Sequence, residues 1–200
     1  MKTVKLSAIV SLLFLLLSAC EEKLAPVEYF NYFNSYAEGS YVEYSKNGFI
    51  YQLQHRSPDF MALNDLKGSS KVNEFSQVSE LRKEYEEGQN FCLRIKSDEH
   101  ENVLRKDLSS EENYFQRIEM LTTHFPLMLT GVGSTDSIPC QFHHFERTYT
   151  IRPFVQVLFT LKEGEKIEKI IFKDDIFNNG EKIELEHINT YIQGLPKLKL

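Results

Sequence analysis

The stretch CQFHHFERTY, residues 140–149, contains the side chains of this chain that are chemically most suggestive. Successive side chains of a strand point to opposite faces, so Cys140, His144 and Glu146 are expected to share one face. A thiol, an imidazole and a carboxylate are all zinc ligands. Phe142 interrupts the row, however, and residues two apart on a strand lie about 6.6 Å from one another, too far to hold one ion easily. The stretch therefore favours a half-exposed strand without a metal ion, and His144 and Glu146 remain candidate ligand-site residues.

No known catalytic pattern surrounds these residues. The six histidines include no HExxH pair, the cysteines form no CxxC pair, and no serine lies in a GxSxG motif. The loop GVGSTD at 131–136 lacks the third glycine or the lysine that phosphate-binding loops use. The sequence therefore predicts no catalytic residue, no metal and no cofactor. It favours a non-enzymatic protein and leaves enzymatic activity open.

The N-terminal stretch MKTVKLSAIVSLLFLLLSAC has the pattern of a secretory signal. Lys2 and Lys5 introduce an almost uninterrupted apolar run over residues 6–17. A run of about a dozen residues is shorter than the roughly 20 that cross a bilayer as a helix. A cleaved signal peptide over residues 1–19 is therefore expected, rather than a membrane-spanning helix.

The signal ends in an apolar residue, two small residues and a cysteine, namely Leu17, Ser18, Ala19 and Cys20. These four residues resemble the lipobox of bacterial lipoproteins. The resemblance implies that a signal peptidase reads the three residues before the cysteine and cleaves there. It also implies diacylation of the Cys20 thiol and acylation of the freed amine. Each buried acyl methylene contributes about 0.8 kcal/mol, so two or three chains anchor a protein stably in a membrane.

The lipoprotein resemblance also predicts where the protein is found. Glu21 and Glu22 follow Cys20, and acidic residues there affect sorting in some Gram-negative lipoproteins, so the outer membrane is preferred over the inner one. The domain would face the periplasm or the cell surface. Cleavage after residue 19 removes two of the 23 basic residues and none of the 29 acidic ones, leaving a net charge near −8. Such a surface repels phosphate backbones, so nucleic acid is not expected as a partner, whereas another envelope protein is.

Two cysteines remain in the mature chain, Cys92 and Cys140. An exported chain with an even number of thiols can form a disulfide, so a Cys92–Cys140 bridge is one interpretation. The other is that both are buried free thiols that pack as small apolar residues.

Patterns along the chain predict the elements that position these residues. Asn47-Gly48 is the preferred two-residue turn of a hairpin, here over 40–56. One helix is expected to begin at Pro26 and another after Ser57. A further helix is expected to end before Gly88, and the next to begin at a capping box at Ser109. The remaining strands are predicted at 90–97, 125–130, 139–149, 153–162, 166–173 and 181–187.

Because helical patterns dominate before residue 122 and strand patterns after it, the fold class expected is α+β. About three helices would lie in the N-terminal half and a mostly antiparallel sheet in the C-terminal half. The expected organisation is a signal peptide over 1–19, a lipidated tether over 20–25 and one globular domain over 26–200.

The stretches YQLQHRSPDFMALNDL and FHHFERTY resemble those of uncharacterised small envelope lipoproteins of Gram-negative bacteria. The resemblance implies no activity. The function expected is that of a lipid-anchored envelope protein with a binding or assembly role. The alternative is a glycan- or peptide-binding module or a hydrolase at the membrane face, and a further option is an immunity or inhibitor lipoprotein that captures a toxin.

Overall fold

A computed structural model describes residues 22–67, 75–147, 152–162 and 166–199. The expected signal peptide, the lipobox residues Leu17, Ser18 and Ala19, and the acceptor Cys20 lie outside these ranges. Within them, no helix is long and apolar enough to cross a membrane.

The elements before residue 100 alternate between strands and helices. In chain order they are β1 Lys23–Leu24, α1 Pro26–Asn34, β2 Val42–Lys46, β3 Phe49–His55, α2 Pro58–Lys67, α3 Phe75–Glu84 and β4 Gln89–Ser97. Asn47 and Gly48 have positive φ angles of 50° and 80°, as the turn between β2 and β3 requires. The Ser57 hydroxyl accepts a hydrogen bond from the backbone N–H of Phe60 at 3.1 Å and so caps α2. The hairpin and this cap are confirmed.

The elements after residue 100 include two helices that the sequence patterns did not predict. They are α4 Glu111–Glu119, a π-helical turn Met120–His124, α5 Phe125–Met128, β5 Leu129–Val132, β6 Ser137–Glu146, β7 Phe154–Leu161, β8 Lys169–Asp174, β9 Glu181–Leu185, α6 Ile188–Gly194 and β10 Lys197–Leu198. The prediction of a strand over 125–130 was wrong for its first four residues. Phe125 and Met128 are buried while Leu127 is 84% exposed, which is helical spacing. The helix continues from α4 because Pro126 is tolerated in a first turn.

Eight strands form one antiparallel sheet in the order β2-β3-β4-β7-β6-β5-β8-β9. The sheet curls until its two edges approach each other. Lys46 at the end of β2 forms an ion pair with Glu181 of β9 at 2.9 Å, and the side chain of Asn47 donates to Asn178 at 2.7 Å. The α+β class and the antiparallel sheet are confirmed. The separation into helices first and strands second is not reproduced, because β2, β3 and β4 precede residue 100.

Two hydrophobic clusters lie on opposite sides of this sheet. The larger one fills the concave side and includes Leu53, Leu93, Val157, Phe159 and Phe172, all nearly inaccessible to water. The smaller one lies among α1, α2 and α3 and includes Tyr29, Phe33, Phe60, Leu63 and Val78. The three N-terminal helices therefore cover part of the convex face and leave space above β4 and β7.

Two residues of the expected tether over 20–25 belong to a strand. Lys23 and Leu24 pair in parallel with Lys197 and Leu198 of β10. Leu24 and Leu198 also pack against the smaller hydrophobic cluster. The folded part of the chain therefore begins no later than β1.

Candidate functional site

A β-bulge in β6 breaks the predicted row of Cys140, His144 and Glu146. Cys140 is opposite Leu161 of β7, whereas Phe142 is opposite Thr160, and the extra residue Gln141 lies between them. The bulge reverses the alternation, so Cys140 points to the core side with Leu161. His144 and Glu146 point to the convex face. No group of three or more metal-ligand side chains occurs in the part of the chain that the structure describes.

Cys92 and Cys140 are both free thiols in the structure, so the interpretation as a disulfide is not realised. Cys92 is opposite Leu158 of β7, and Cys140 is opposite Leu161. Residues three apart on one strand point to opposite faces, so the two thiols lie on different sides of the sheet. The Cys92 sulfur lies 3.2 Å from the Tyr36 hydroxyl oxygen. Burial raises the pKa of Cys140 to about 11, which keeps it protonated at neutral pH.

The convex face of β3, β4 and β7 has polar residues where a buried sheet face is usually apolar. Arg94 of β4 is opposite Gln156 of β7, and Arg56 directly follows β3, with its N–H bonded to the Asn90 carbonyl at 2.8 Å. Arg56 is only 9% exposed and Gln156 only 5%. Buried polar groups are costly unless they have partners, so this part of the sheet is the unusual one.

A cavity of about 450 Å³ lies above these residues, between the sheet and the ends of α1 and α2. Its size is within the range usual for small-molecule sites. Its lining combines arginines, aromatic rings and amides: Asn34, Tyr36, Arg56, Phe60, Met61, Asn64, Arg94, Glu146, Arg152, Phe154, Gln156 and Leu158. We refer to it as the arginine cavity.

Guanidinium groups and aromatic rings alternate along the wall of the arginine cavity. The Arg56 guanidinium carbon lies 4.6 Å from the centroid of the Phe60 ring and 5.7 Å from that of Tyr36. The Arg94 guanidinium carbon lies 3.2 Å from the centroid of Tyr36 and 4.1 Å from that of Phe154. Stacking of this kind fixes each guanidinium plane while leaving its N–H groups at the edge. The donors are thus held in place before any ligand arrives.

These cations have no anionic partner among the residues that the structure describes. Among the described residues, no ion pair involves Arg56, Arg94 or Arg152. Within the described ranges, the buried Nε of Arg56 has no hydrogen-bond partner, whereas the guanidinium group contacts the Tyr36 hydroxyl at 3.4 Å and the Cys92 thiol. Burial lowers the pKa of Arg94, and the positive charges of Arg56 and Arg152 lower it too. An anion entering this cavity would relieve both the unmet hydrogen bonds and the repulsion.

Glu146 is the single acidic residue among those lining the cavity. The amide of Gln156 is best satisfied when its nitrogen donates to Glu146 at 3.3 Å and its oxygen accepts from Tyr36 at 2.9 Å and from Arg94 at 3.1 Å. Gln156 thereby separates the carboxylate from the guanidinium of Arg94. Glu146, one of the two candidate ligand-site residues, thus lines this cavity. His144, the other candidate, is exposed and is not among the lining residues.

A second cavity of about 370 Å³ adjoins the first and shares Arg56, Met61 and Leu158 with it. Its other lining residues are Glu84, Tyr85, Glu87, Asn90, Phe91, Gln141, Phe142, Phe159 and Thr160. We refer to it as the apolar cavity. Phe142 of its wall is 61% exposed, although it is a large aromatic side chain.

Sequence reasoning missed the three arginines. Arg56 and Arg94 lie in the stretches QLQHRS and FCLRIK, and no motif in these stretches marks them as binding residues. The one signal available was Gln156, an amide within the apolar run FVQVLF, which indicates a polar contact on one face. Helices that cover the convex face make these positions buried, and their placement depends on long-range packing.

The chain matches no protein-family model, no curated protein and no solved structure.

Proposed function

We propose that this chain is a lipid-anchored cell-envelope lipoprotein whose domain binds a small organic anion in the arginine cavity. The observation that carries the binding proposal is Arg56, which is 9% exposed, has an Nε without a hydrogen-bond partner among the described residues and faces a cavity that also contains Arg94 and Arg152. Removing a cation from water without a counter-charge is unfavourable, so retention of Arg56 suggests that the counter-charge comes from a ligand. The geometry of a guanidinium suits a carboxylate or phosphate group.

The lining residues support binding rather than hydrolysis. One carboxylate, Glu146, is too few for the paired acids that glycosidases use. Among the described residues, the lining contains no serine or cysteine and no histidine that could activate one. We therefore prefer the non-enzymatic role, and the glycan- or peptide-directed hydrolase is the weaker alternative.

The anchor is the other half of the proposal. The lipobox ending in Cys20 supports attachment through acyl chains, with the outer membrane preferred and the domain facing the periplasm or the cell surface. Cys20→Ser should release the protein from the membrane fraction, because the thioether-linked chains are lost. Retention of the variant in washed membranes would contradict the anchor. Binding to another envelope protein stays a prediction from the sequence.

The anion site can be tested by thermal unfolding of the full-length protein held in nanodiscs, with sodium succinate, phosphate or sulfate compared with sodium chloride at equal ionic strength. A ligand that binds only the folded state stabilises it by about 2.7 kcal/mol at 100 times its Kd. At least one of the three anions should raise the midpoint of unfolding in the parent and not in Arg56→Gln.

The matched control is Arg105→Gln, which removes the same charge from an exposed ion pair with Glu111. This variant should keep the full response to anions. Equal responses in the two variants would mean that the anions act on net charge and not in the arginine cavity, and the absence of any response in the parent would also reject the site.

A further inference from the structure

The arginine cavity and the apolar cavity form one amphipathic groove. They meet at Arg56, Met61 and Leu158, which line both. On one side of this junction lie the guanidinium groups of Arg56, Arg94 and Arg152, and on the other lies the exposed ring of Phe142. A ligand that fills only the first cavity would leave the second, and the exposed ring of Phe142, in contact with water.

The floor of the apolar cavity offers little to a peptide backbone. It is formed by β4 and β7, whose residues pair with each other over Gln89–Lys96 and Phe154–Leu161. The other edge of β7 pairs with β6. The N–H and C=O groups of this floor are therefore used within the sheet, and an extended peptide would gain few main-chain hydrogen bonds there. A hydrocarbon chain needs none.

Charge also sets the direction of the ligand in the groove. Glu84 and Glu87 line the apolar cavity, whereas Arg56, Arg94 and Arg152 line the other. A negative head group is repelled at one end and attracted at the other. The tail would then pass Met61 and Leu158 toward Phe142.

We infer, on the basis of the proposed anion site, that the ligand is a single-chain acyl carboxylate, with its carboxylate on the arginines and its alkyl chain in the apolar cavity. Burial of one methylene tightens binding by about fourfold. Octanoate should therefore bind on the order of 200-fold more tightly than butyrate if all four extra methylenes are buried. Octanol, which has the chain but not the charge, should bind far more weakly than octanoate.

The test is equilibrium dialysis of radiolabelled butyrate, octanoate and octanol against the full-length protein in nanodiscs, with empty nanodiscs to correct for partition into lipid. Phe142→Ser should weaken octanoate binding by about tenfold or more and leave butyrate unchanged, because the ring contacts only the tail. Phe142 is largely exposed, so the variant should fold. Leu127→Ser, at an 84% exposed residue outside both cavities, is the matched control and should change neither.

The outcomes separate this inference from the proposed function. If butyrate and octanoate bind equally and both need Arg56, the anion site stands and the acyl inference is wrong. A short peptide with an apolar C-terminal residue can compete with radiolabelled octanoate. If it displaces the label at a lower concentration than unlabelled octanoate does, the ligand is a peptide carboxylate and the acyl inference is again wrong. If octanol binds as tightly as octanoate, or if neither acid binds, the acyl inference is wrong, and the anion site is rejected with it only when succinate, phosphate and sulfate also leave the midpoint of unfolding unchanged.

Discussion

Arg56 combines two properties that conflict in a protein selected for stability alone. It is buried, and its charge has no counter-charge among the described residues. Contacts with the Phe60 and Tyr36 rings offset part of the cost of desolvation. Binding sites commonly trade stability for function in this way.

Arg56→Met should therefore leave the unliganded protein as stable as the parent or more stable by about 1–3 kcal/mol, because replacing buried charge by a flexible apolar chain is often stabilising. Urea unfolding at neutral pH measures the change. Arg117→Met is the matched comparison, since Arg117 donates to the carbonyls of Val103, Leu104 and Lys106 and should lose stability. A loss of more than about 2 kcal/mol in Arg56→Met would show that Arg56 is structural.

His55 makes folding sensitive to acid. Burial lowers its pKa from 6.5 to about 4, and its Nδ1 has no hydrogen-bond partner. Below pH 6.5 the unfolded chain takes up a proton at His55 that the folded chain refuses. The stability is therefore complete above pH 6.5 and falls, by up to about 3 kcal/mol, as the pH approaches 4. In His55→Phe, the free energy of unfolding should decline less between pH 7 and pH 4.5, whereas His144→Phe at an exposed position should follow the parent. An unchanged decline in His55→Phe would contradict this assignment.

The number of thiols that can be titrated tests both the lipid anchor and the absence of a disulfide. The full-length protein should release two thiols to Ellman's reagent after unfolding in urea without reductant, because Cys92 and Cys140 are free in the structure and the proposed acylation would block the thiol of Cys20. Three thiols would contradict the acylation, and none would contradict the free pair. Before unfolding the reaction should be slow, since Cys92 is buried and the pKa of Cys140 is about 11.

At the scale of elements, local sequence patterns correctly predicted the turns, caps and strands that depend on residues close together in the chain. The hairpin at Asn47-Gly48, the cap at Ser57 and the strand over 90–97 depend on neighbours in the chain, and all were confirmed. The capping box was misplaced by one residue, since Ser110 and not Ser109 accepts the N–H of Asn113. Alternation could not reveal the bulge at Gln141, because a bulge depends on the partner strand. The predicted face of the strand was therefore correct for Glu146 and wrong for Cys140.

Gly88, which precedes β4, is required by the approach of β7. Its φ of +92° disfavours a side chain, and a Cβ there would lie 2.9 Å from the carbonyl oxygen of Leu161 and 2.7 Å from a methyl carbon of Thr160. Gly88→Ala should cost about 2 kcal/mol or more in thermal or urea unfolding, because the strain and the backbone clash add. Gly194→Ala is the control, since a Cβ at Gly194 meets no atom within 4 Å. Similar stability in the two variants would argue against the described packing of β4 on β7.

At the scale of the whole molecule, the sequence predicted the class and not the topology. Runs of alternating residues indicated an antiparallel sheet, and helical runs indicated the N-terminal helices. Their arrangement depends on pairings such as β4 with β7, separated by more than 50 residues, for which the sequence has no local signal. The arginine cavity arises from that arrangement, because its lining comes from α1, α2, β4, β6 and β7.

The pairing of β1 with β10 determines how a lipidated chain would lie against its membrane. Cys20 is three residues before Lys23, so the linker between the bilayer and the domain would be at most about 10 Å long. A linker of this length would keep the domain close to the bilayer. The end of the domain formed by β1, β10 and the N-terminal helices would face the lipid. A fluorescent reporter fused behind β10 would emerge beside the acyl chains and would report the bilayer rather than the open compartment. The groove beneath those same helices would open close enough to the head groups to exchange an acyl ligand with the membrane directly.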